Sequence, residues 1–287
     1  MNVKILFKGF NFSQDGPGNR LVYHLQGCNM HCPWCSNPES IPENGSLMVK
    51  GDLEETHCIF GAIENGSIDR ERCKACLEKP CVRLPSSNLQ LSCADTDVED
   101  IVDEVKRCSP MFFDGGGVTF TGGEPTLQFD ALKMLLFELK RLGINTAVET
   151  NGSRRQLPEL FSLIDFLIMD CKHYDSHAHE EATGLGNEIV LRNIAAAAGK
   201  RPQLLIRIPL IGGFNSSKKD ALNFVKLFKK LHAENCQFEL LKYHEYGKDK
   251  WDQCGKDYLM KNAEVSDKGF EEFSQVFKTN GLKLIRT

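Results

Sequence analysis

Six short apolar runs, separated by amphipathic stretches, do most to limit how this chain of 287 residues can fold. The runs are RLVYHLQ (20–26), GVTFT (117–121), INTAVE (144–149), DFLIMD (165–170), QLLIRIPL (203–210) and QFELLKY (237–243). Several are continuously apolar rather than alternating, which suits strands covered on both faces. Helical periodicity predicts helices over 98–108, 129–143, 187–200, 217–233 and 266–279, and LKLIR (282–286) reads as a terminal strand or tail. Alternating β and α units imply a parallel sheet with right-handed crossovers. Six units make either an open sheet or an incomplete barrel. The first two runs stand about 90 residues apart, where a βαβ unit takes about 30. Residues 40–96, rich in cysteine and loop formers, are therefore expected to be a small inserted domain, with 1–39 and 97–287 forming the main one.

Composition narrows the function. The chain is 41% hydrophobic and 26% charged with a net charge of -4, which argues against nucleic acid or an anionic membrane as the main partner. No apolar run reaches the roughly 18 residues of a membrane helix, and the start lacks the pattern of a cleaved signal. A cytoplasmic location is the expectation. Twelve cysteines are many for such a chain, and clustered cytosolic cysteines point to metal or redox chemistry rather than disulfides. Eight fall between Cys28 and Cys93; Cys108, Cys171, Cys236 and Cys254 stand alone and read as small buried hydrophobes.

Polar segments follow the apolar runs. The cysteine cluster comes after the first, GGEP (122–125) after the second, TNG (150–152) after the third and DCK (170–172) at the end of the fourth. Arg207 lies within the fifth, and HEYG (244–247) follows the sixth. Taken singly these read as a turn, a helix start and a surface ion pair. Parallel α/β folds gather their sites at the carboxyl ends of the strands, so jointly they point to one rim.

QGCNMHCPWCSNPES holds Cys28, Cys32 and Cys35 in a C-x3-C-x2-C pattern without an obvious fourth ligand. Structural zinc takes four closed ligands, usually as two pairs. Three cysteines can hold three irons of a 4Fe–4S cube and leave the fourth iron open. Zinc with a distant ligand, or free thiols, are the alternatives.

The cysteine pattern, with an aromatic residue before its last member, resembles that of radical S-adenosylmethionine enzymes, and GGEP resembles their second motif. Together DGPGNR (15–20), QGCNMHCPWCSNPES, GGGVTFTGGEP, ETNG, DCK and YHEYGKDKW resemble the glycyl-radical-enzyme activating enzymes, relatives of pyruvate formate-lyase activase. That resemblance implies a partial (β/α)6 TIM-type barrel with a small cysteine-rich, ferredoxin-like insert. It implies that Cys28, Cys32 and Cys35 carry the cube, with S-adenosylmethionine on its open iron. Gly122 and Gly123 would approach the cofactor through their backbone, and Glu124 would accept from its ammonium. Lys172 and Arg207 would meet a carboxylate or ribose, with Asp170 and Cys171 alongside. Trp34, Ser36 and His244 would lie near the adenine. Glu149, Thr150 and Asp170 would supply oxygen ligands to a monovalent cation, Glu149 standing where the resembled activase has Asp.

Ferredoxin-type inserts use C-x2-C-x2-C-x3-C twice, the fourth cysteine of each run serving the other cluster. HCIFGAI (57–63) resembles the end of a first run whose other ligand positions are Met48, Gly51 and Glu54, none of which replaces a thiolate. CKACLEKPC (73–81) keeps Cys73 and Cys76, has Lys79 where a third cysteine is expected, and offers Cys81 two residues on. Cys58, Cys73, Cys76 and Cys81 are thus expected to hold one auxiliary 4Fe–4S cluster. Zinc in the same thiols, an empty site and the use of Cys93 remain open.

The resemblance further implies a glycyl radical enzyme as protein substrate, a flavodoxin or ferredoxin as electron donor, and a monomer. DGPGNR would lie near the partner's glycine loop, although Asn19 stands where an apolar residue is usual. A radical S-adenosylmethionine enzyme acting on a small molecule or peptide, and a metal-binding regulatory protein, are the rival readings.

Overall fold

The computed structural model describes residues 1–53, 58–76, 78–84, 88–200 and 202–287. The sequence positions Glu54 and His57 of the expected first ferredoxin run, and Leu77 of the second, lie outside them. Strands β1 (Asn2–Phe12) and β2 (Asn19–Leu25) pair antiparallel, with an irregularity between Ile5 and Phe7. In the segment that follows lie β3 (Leu47–Val49), β4 (Ile63–Glu64), β5 (Ser67–Ile68), α1 (Arg70–Lys74) and β6 (Leu89–Leu91). The chain then returns through β7 (Ala94–Asp97), α2 (Val98–Cys108), β8 (Gly117–Gly122), α3 (Phe129–Arg141) and β9 (Asn145–Thr150). It continues through β10 (Phe166–Asp170), α4 (Ser176–Thr183), α5 (Glu188–Ala197), β11 (Gln203–Leu210) and α6 (Lys218–Lys230). The last elements are β12 (Gln237–Lys242), α7 (Lys248–Gln253), α8 (Asp267–Thr279) and β13 (Lys283–Leu284).

The main sheet runs β13-β12-β11-β10-β9-β8-β2-β1-β7. From β2 through β8, β9, β10 and β11 to β12 each pair is parallel. These are the six apolar runs of the sequence, in their predicted order. The strand order does not close on itself, so the molecule is a partial barrel. Helix α2 starts where Asp97 accepts from Glu99 N at 2.9 Å, and it buries Val98, Ile101, Val102 and Val105 at helical spacing. Helix α6 opens with a reciprocal Ser217–Asp220 capping box and turns Ala221, Phe224, Val225 and Phe228 inward.

Alternation along the strands separates two environments. Ala147, Phe166, Ile168 and Leu205 form a small apolar cluster of their own. Two residues further along the same faces come Glu149, Asp170 and Arg207, so a polar layer sits directly above an apolar one. Leu132, Leu135, Leu136, Val148, Leu167 and Ile206 belong to the large core between sheet and helices.

Two strands of the main sheet were not predicted. β1 and β7 add antiparallel to the β2 edge, with Val3 opposite Thr96. Strand β7 is Ala-Asp-Thr-Asp, and only its pairing with β1 makes it a strand. Its residues 94–96 lie inside the range expected for the insert. Leu47, Leu53, Ile63, Cys81 and Leu89 form a second buried cluster, separate from the main core. Among the described residues no helix is long and apolar enough to cross a membrane.

Candidate active site

At the carboxyl ends of the parallel strands lies a cavity of about 330 Å³ lined by Cys28, Cys32 and Cys35. Trp34 and Ser36 border it too. No other cysteine among the described residues lines it, and none of the three is in a disulfide. Cys35 N donates to Cys32 O at 3.0 Å, and Met30 N to the Cys28 sulfur at 3.4 Å, so the loop turns its sulfurs inward. Burial pushes the Cys28 and Cys35 thiols up to about 12, with neighbouring thiols adding to the shift, and raises Cys32 as well, where Lys172 opposes and Asp170 assists. Such thiols stay protonated unless a metal replaces the proton. Among the described residues no three His, Cys, Asp or Glu side chains are gathered as a single metal ion requires; the thiols surround a cavity instead.

Gly122 and Gly123 line the same space, but packing alone already demands glycine there. Gly122 has φ +115, and a side chain on it would meet the Leu25 backbone, with Leu25 O at 2.7 Å. A side chain on Gly123 would run into Gly27 O. These contacts press the end of β8 against the cysteine loop, where Gly123 N donates to Leu25 O at 2.9 Å and Glu124 N to Gly27 O at 2.7 Å.

Glu124 departs from expectation. It is fully buried and does not border the cavity. Its carboxylate accepts from Thr126 N at 3.0 Å, Thr126 Oγ1 at 2.5 Å, Thr150 Oγ1 at 2.7 Å and Asn151 N at 2.6 Å. Burial raises its pKa against the pull of these four donors. It ties the ends of β8 and β9 together, which leaves little capacity for an external ammonium. Cys171 is likewise turned into the core, 1% exposed, with its backbone N donating to Arg207 O at 2.8 Å.

The charged residues of the cavity are already paired. Lys172 Nζ meets Asp170 Oδ2 at 2.5 Å. Burial works against its charge, but Asp170 and the sulfurs of Cys32 and Cys28 hold its pKa above the ordinary lysine value. Arg207 Nη1 meets Glu149 Oε1 at 2.5 Å, Nε meets Glu239 Oε2 at 2.8 Å, and Nη2 donates to Gln14 O. Burial again opposes the charge, and the two carboxylates outweigh it. Glu149 also accepts from Thr121 Oγ1 at 3.0 Å. Of the expected cation ligands, Glu149, Thr150 and Asp170 all border the cavity, but each side chain has a partner within the chain. His244, exposed at the mouth, stacks on Tyr246 with ring centroids 4.1 Å apart.

Sequence reasoning passed over Asp15 and His24, which also line the cavity. The signal for His24 was present: alternation along RLVYHLQ places Arg20, Val22 and His24 on one face. Its ring stacks on Phe7 at 3.7 Å, and Nδ1 finds no hydrogen-bond partner among the described residues. Burial lowers its pKa to about 4.

A second cavity, of about 150 Å³, is lined by Cys58, Cys73, Cys76 and Cys81 together with Lys79. Asp69 caps the helix that carries Cys73. Burial raises the Cys73 and Cys81 thiols; the other thiols of the set add to this, while Lys79 counteracts it at Cys73. Cys93 packs elsewhere, against Gly45, where an added side chain would come within 2.8 Å of its sulfur.

Residues 22–225 match the radical SAM superfamily. The 4-hydroxyphenylacetate decarboxylase activating enzyme of Clostridioides difficile (strain 630) is 34% identical over 305 residues, covering 97% of this chain and 94% of that protein. The isethionate sulfite-lyase activating enzyme of Desulfovibrio desulfuricans is 35% identical over 276 residues, covering 88% of this chain and 86% of that one. A radical SAM methyltransferase of Sphaerobacter thermophilus shares the fold, with a TM-score of 0.56 at 13% identity, over 96% of this chain and 67% of its own. With its cysteine-lined rim and its near full-length relatives, the chain belongs to the radical SAM superfamily and, within it, to the glycyl-radical-enzyme activating enzymes.

Proposed function

We propose that Cys28, Cys32 and Cys35 hold a 4Fe–4S cluster with one open iron on which S-adenosylmethionine docks, and that the product radical activates a partner enzyme. The observation that carries this reading is the cavity itself: three buried thiols, and no other cysteine among the described residues, at the meeting point of the parallel strand ends. When bound, the cluster supplies one electron to the sulfonium, splitting it into methionine and a 5′-deoxyadenosyl radical that takes hydrogen from a glycine of the partner. The chain's own residues bind, orient and exclude water. Gly122 and Gly123 keep β8 tight against the cysteine loop, so the backbone of the cavity wall is fixed before the cofactor arrives. Lys172 stays charged beside Cys32 and offsets negative charge on the thiolates. Trp34, Ser36 and His244 form the mouth that faces the nucleoside. Glu149, Thr150 and Asp170 are proposed to accept a monovalent cation, which requires Asp170 or Glu149 to share its present partner.

Cys58, Cys73, Cys76 and Cys81 are proposed to hold one auxiliary 4Fe–4S cluster within an inserted unit, residues 40–96, flanked by 1–39 and 97–287. Zinc in the same four thiols is the weaker reading, because among the described residues they are not gathered as a single metal ion requires. The protein is proposed to work as a cytoplasmic monomer that takes its electron from a flavodoxin or ferredoxin.

Anaerobic incubation of the reduced protein with S-adenosylmethionine and candidate partners tests the activity. The glycyl radical enzymes activated by the two relatives, a 4-hydroxyphenylacetate decarboxylase and an isethionate sulfite-lyase, are the first to try. A glycyl doublet in electron paramagnetic resonance is expected on one glycyl radical enzyme. Failure of the reduced, iron-loaded protein to cleave S-adenosylmethionine would sink the reading.

A further inference from the structure

We propose that α7 is a strap fixing the three-cysteine loop to the insert, with Trp251 and Lys250 as its positioning residues. The sequence YHEYGKDKW reaches the cavity through Tyr243 and His244, on which Tyr246 stacks, but from Gly247 onward it does not border the cavity. Trp251 Nε1 donates to Cys35 O at 2.9 Å, across 216 residues of chain. Lys250 Nζ donates to Asn37 Oδ1 at 2.7 Å and Glu39 Oε1 at 2.8 Å. Glu39 is 4% exposed, and its other carboxylate oxygen is buried without a partner among the described residues, so its charge leans on Lys250. Gly247 completes the contact: a side chain there would stand 2.6 Å from Ser36 Cα and 2.7 Å from Ser36 O.

The opposite end of α7 holds the insert. Arg70 Nη2 donates to Gln253 O at 3.0 Å, and its Nη1 to Leu47 O at 2.8 Å. Lys50 Nζ donates to Gln253 Oε1 at 2.6 Å. A side chain on Gly255, which has φ +66, would collide with the Arg70 guanidinium. Arg70 begins α1, the helix that carries Cys73. One line of bonded groups therefore runs from the helix of Cys73, through Arg70, Gln253 and Trp251, to the carbonyl of Cys35. A hydrogen bond to the backbone of a ligand residue fixes the direction of its sulfur without itself being a ligand. This functional meaning rests on the proposed cluster at Cys28, Cys32 and Cys35; the strap itself does not.

Hydrogen exchange and electron paramagnetic resonance on the anaerobic, iron-loaded protein separate the two. Trp251→Phe keeps a ring but loses the donor, and Lys250→Met loses the cation. Each is expected to speed amide exchange in residues 33–41 about fivefold, the loss of roughly one net hydrogen bond, and to shift the g-values of the reduced first cluster with S-adenosylmethionine bound. Glu39→Gln in the Lys250→Met background should recover part of the protection. Arg70→Met should also speed exchange in 33–41; no change there would overturn the link to the insert. Unchanged exchange in both α7 variants overturns the strap. Faster exchange with an unshifted spectrum overturns the positioning role, whether or not any partner enzyme is ever activated.

Discussion

At the residue scale, His24 sets a pH dependence. Burial lowers it from 6.5 to about 4, so between those values the unfolded chain binds a proton that the folded chain refuses. Stability is therefore expected to fall as the pH drops through that window. His179, lowered by burial as well, acts in the same direction and stays in the background. His24→Phe retains the stack on Phe7 and removes the titration. From pH 7 to 5.5 the metal-free wild type should lose about 1 kcal/mol more than the variant, with one pKa unit being worth about 1.4 kcal/mol and partial solvent access reducing the effect. Parallel urea melts at the two pH values measure this; equal losses in both proteins would place the depressed pKa elsewhere. Single residues are also where sequence reading was weakest. Glu124 sits inside a motif, and nothing in a motif says which of its members faces the core; Cys171 is the small buried hydrophobe that its isolation in the sequence suggested, and not the cavity residue that its motif implied. His24 lay in a strand that read as apolar, where one polar residue of an inward face drew no attention.

At the element scale, the six parallel strands and five of the helices were legible because each buries a continuous apolar run or stripe in a partner of the opposite type. The antiparallel edge was not. β1 interleaves Lys4, Lys8, Gly9 and Asn11 with exposed Phe7, Phe10 and Phe12, and gains its order by pairing with β2 along most of its length and with the distant β7 at its start. The turn between β1 and β2 owes its shape to Arg20, which is wholly buried. Its guanidinium donates to Thr119 Oγ1 at 2.7 Å, Val118 O at 2.8 Å, Asn145 Oδ1 at 2.9 Å and Pro17 O at 3.1 Å. None of these acceptors is a carboxylate, and burial lowers its pKa to about 10. Arg20 thus pins the starts of β2, β8 and β9 to the turn that carries Asp15 into the cavity. Asn19 is also used internally, donating to Met111 O at 2.8 Å. Arg20→Met leaves several buried carbonyls unpaired at about 1 kcal/mol or more each. A loss of about 3 kcal/mol in equilibrium unfolding is expected, and a loss below 1 kcal/mol would contradict this role.

At the scale of the whole molecule, the chain has two thiol sets in two cavities, and only the first opens onto the strand ends. The grouping of Cys58, Cys73, Cys76 and Cys81 could be written down from a damaged ferredoxin pattern because cross-pairing of the fourth cysteine follows a rule. The strap between the two sets could not, since it depends on Trp251 meeting a carbonyl in a loop at the other end of the chain. The separation predicts a division of labour. Cys32→Ala removes a thiol from the cavity where the sulfonium is proposed to be reduced, so cofactor cleavage should vanish while the four-thiol set keeps its proposed cluster. Cys76→Ala should do the reverse, lowering bound iron by about four per chain and leaving part of the cleavage intact, slowed by whatever the strap transmits. Iron and sulfide analysis alongside 5′-deoxyadenosine release on both folded variants distinguishes them. Complete loss of cleavage in both would mean that electrons reach the first site only through the second. Zinc in place of iron in the Cys32→Ala protein would make the insert a structural clasp, and α7 its connection to the cavity.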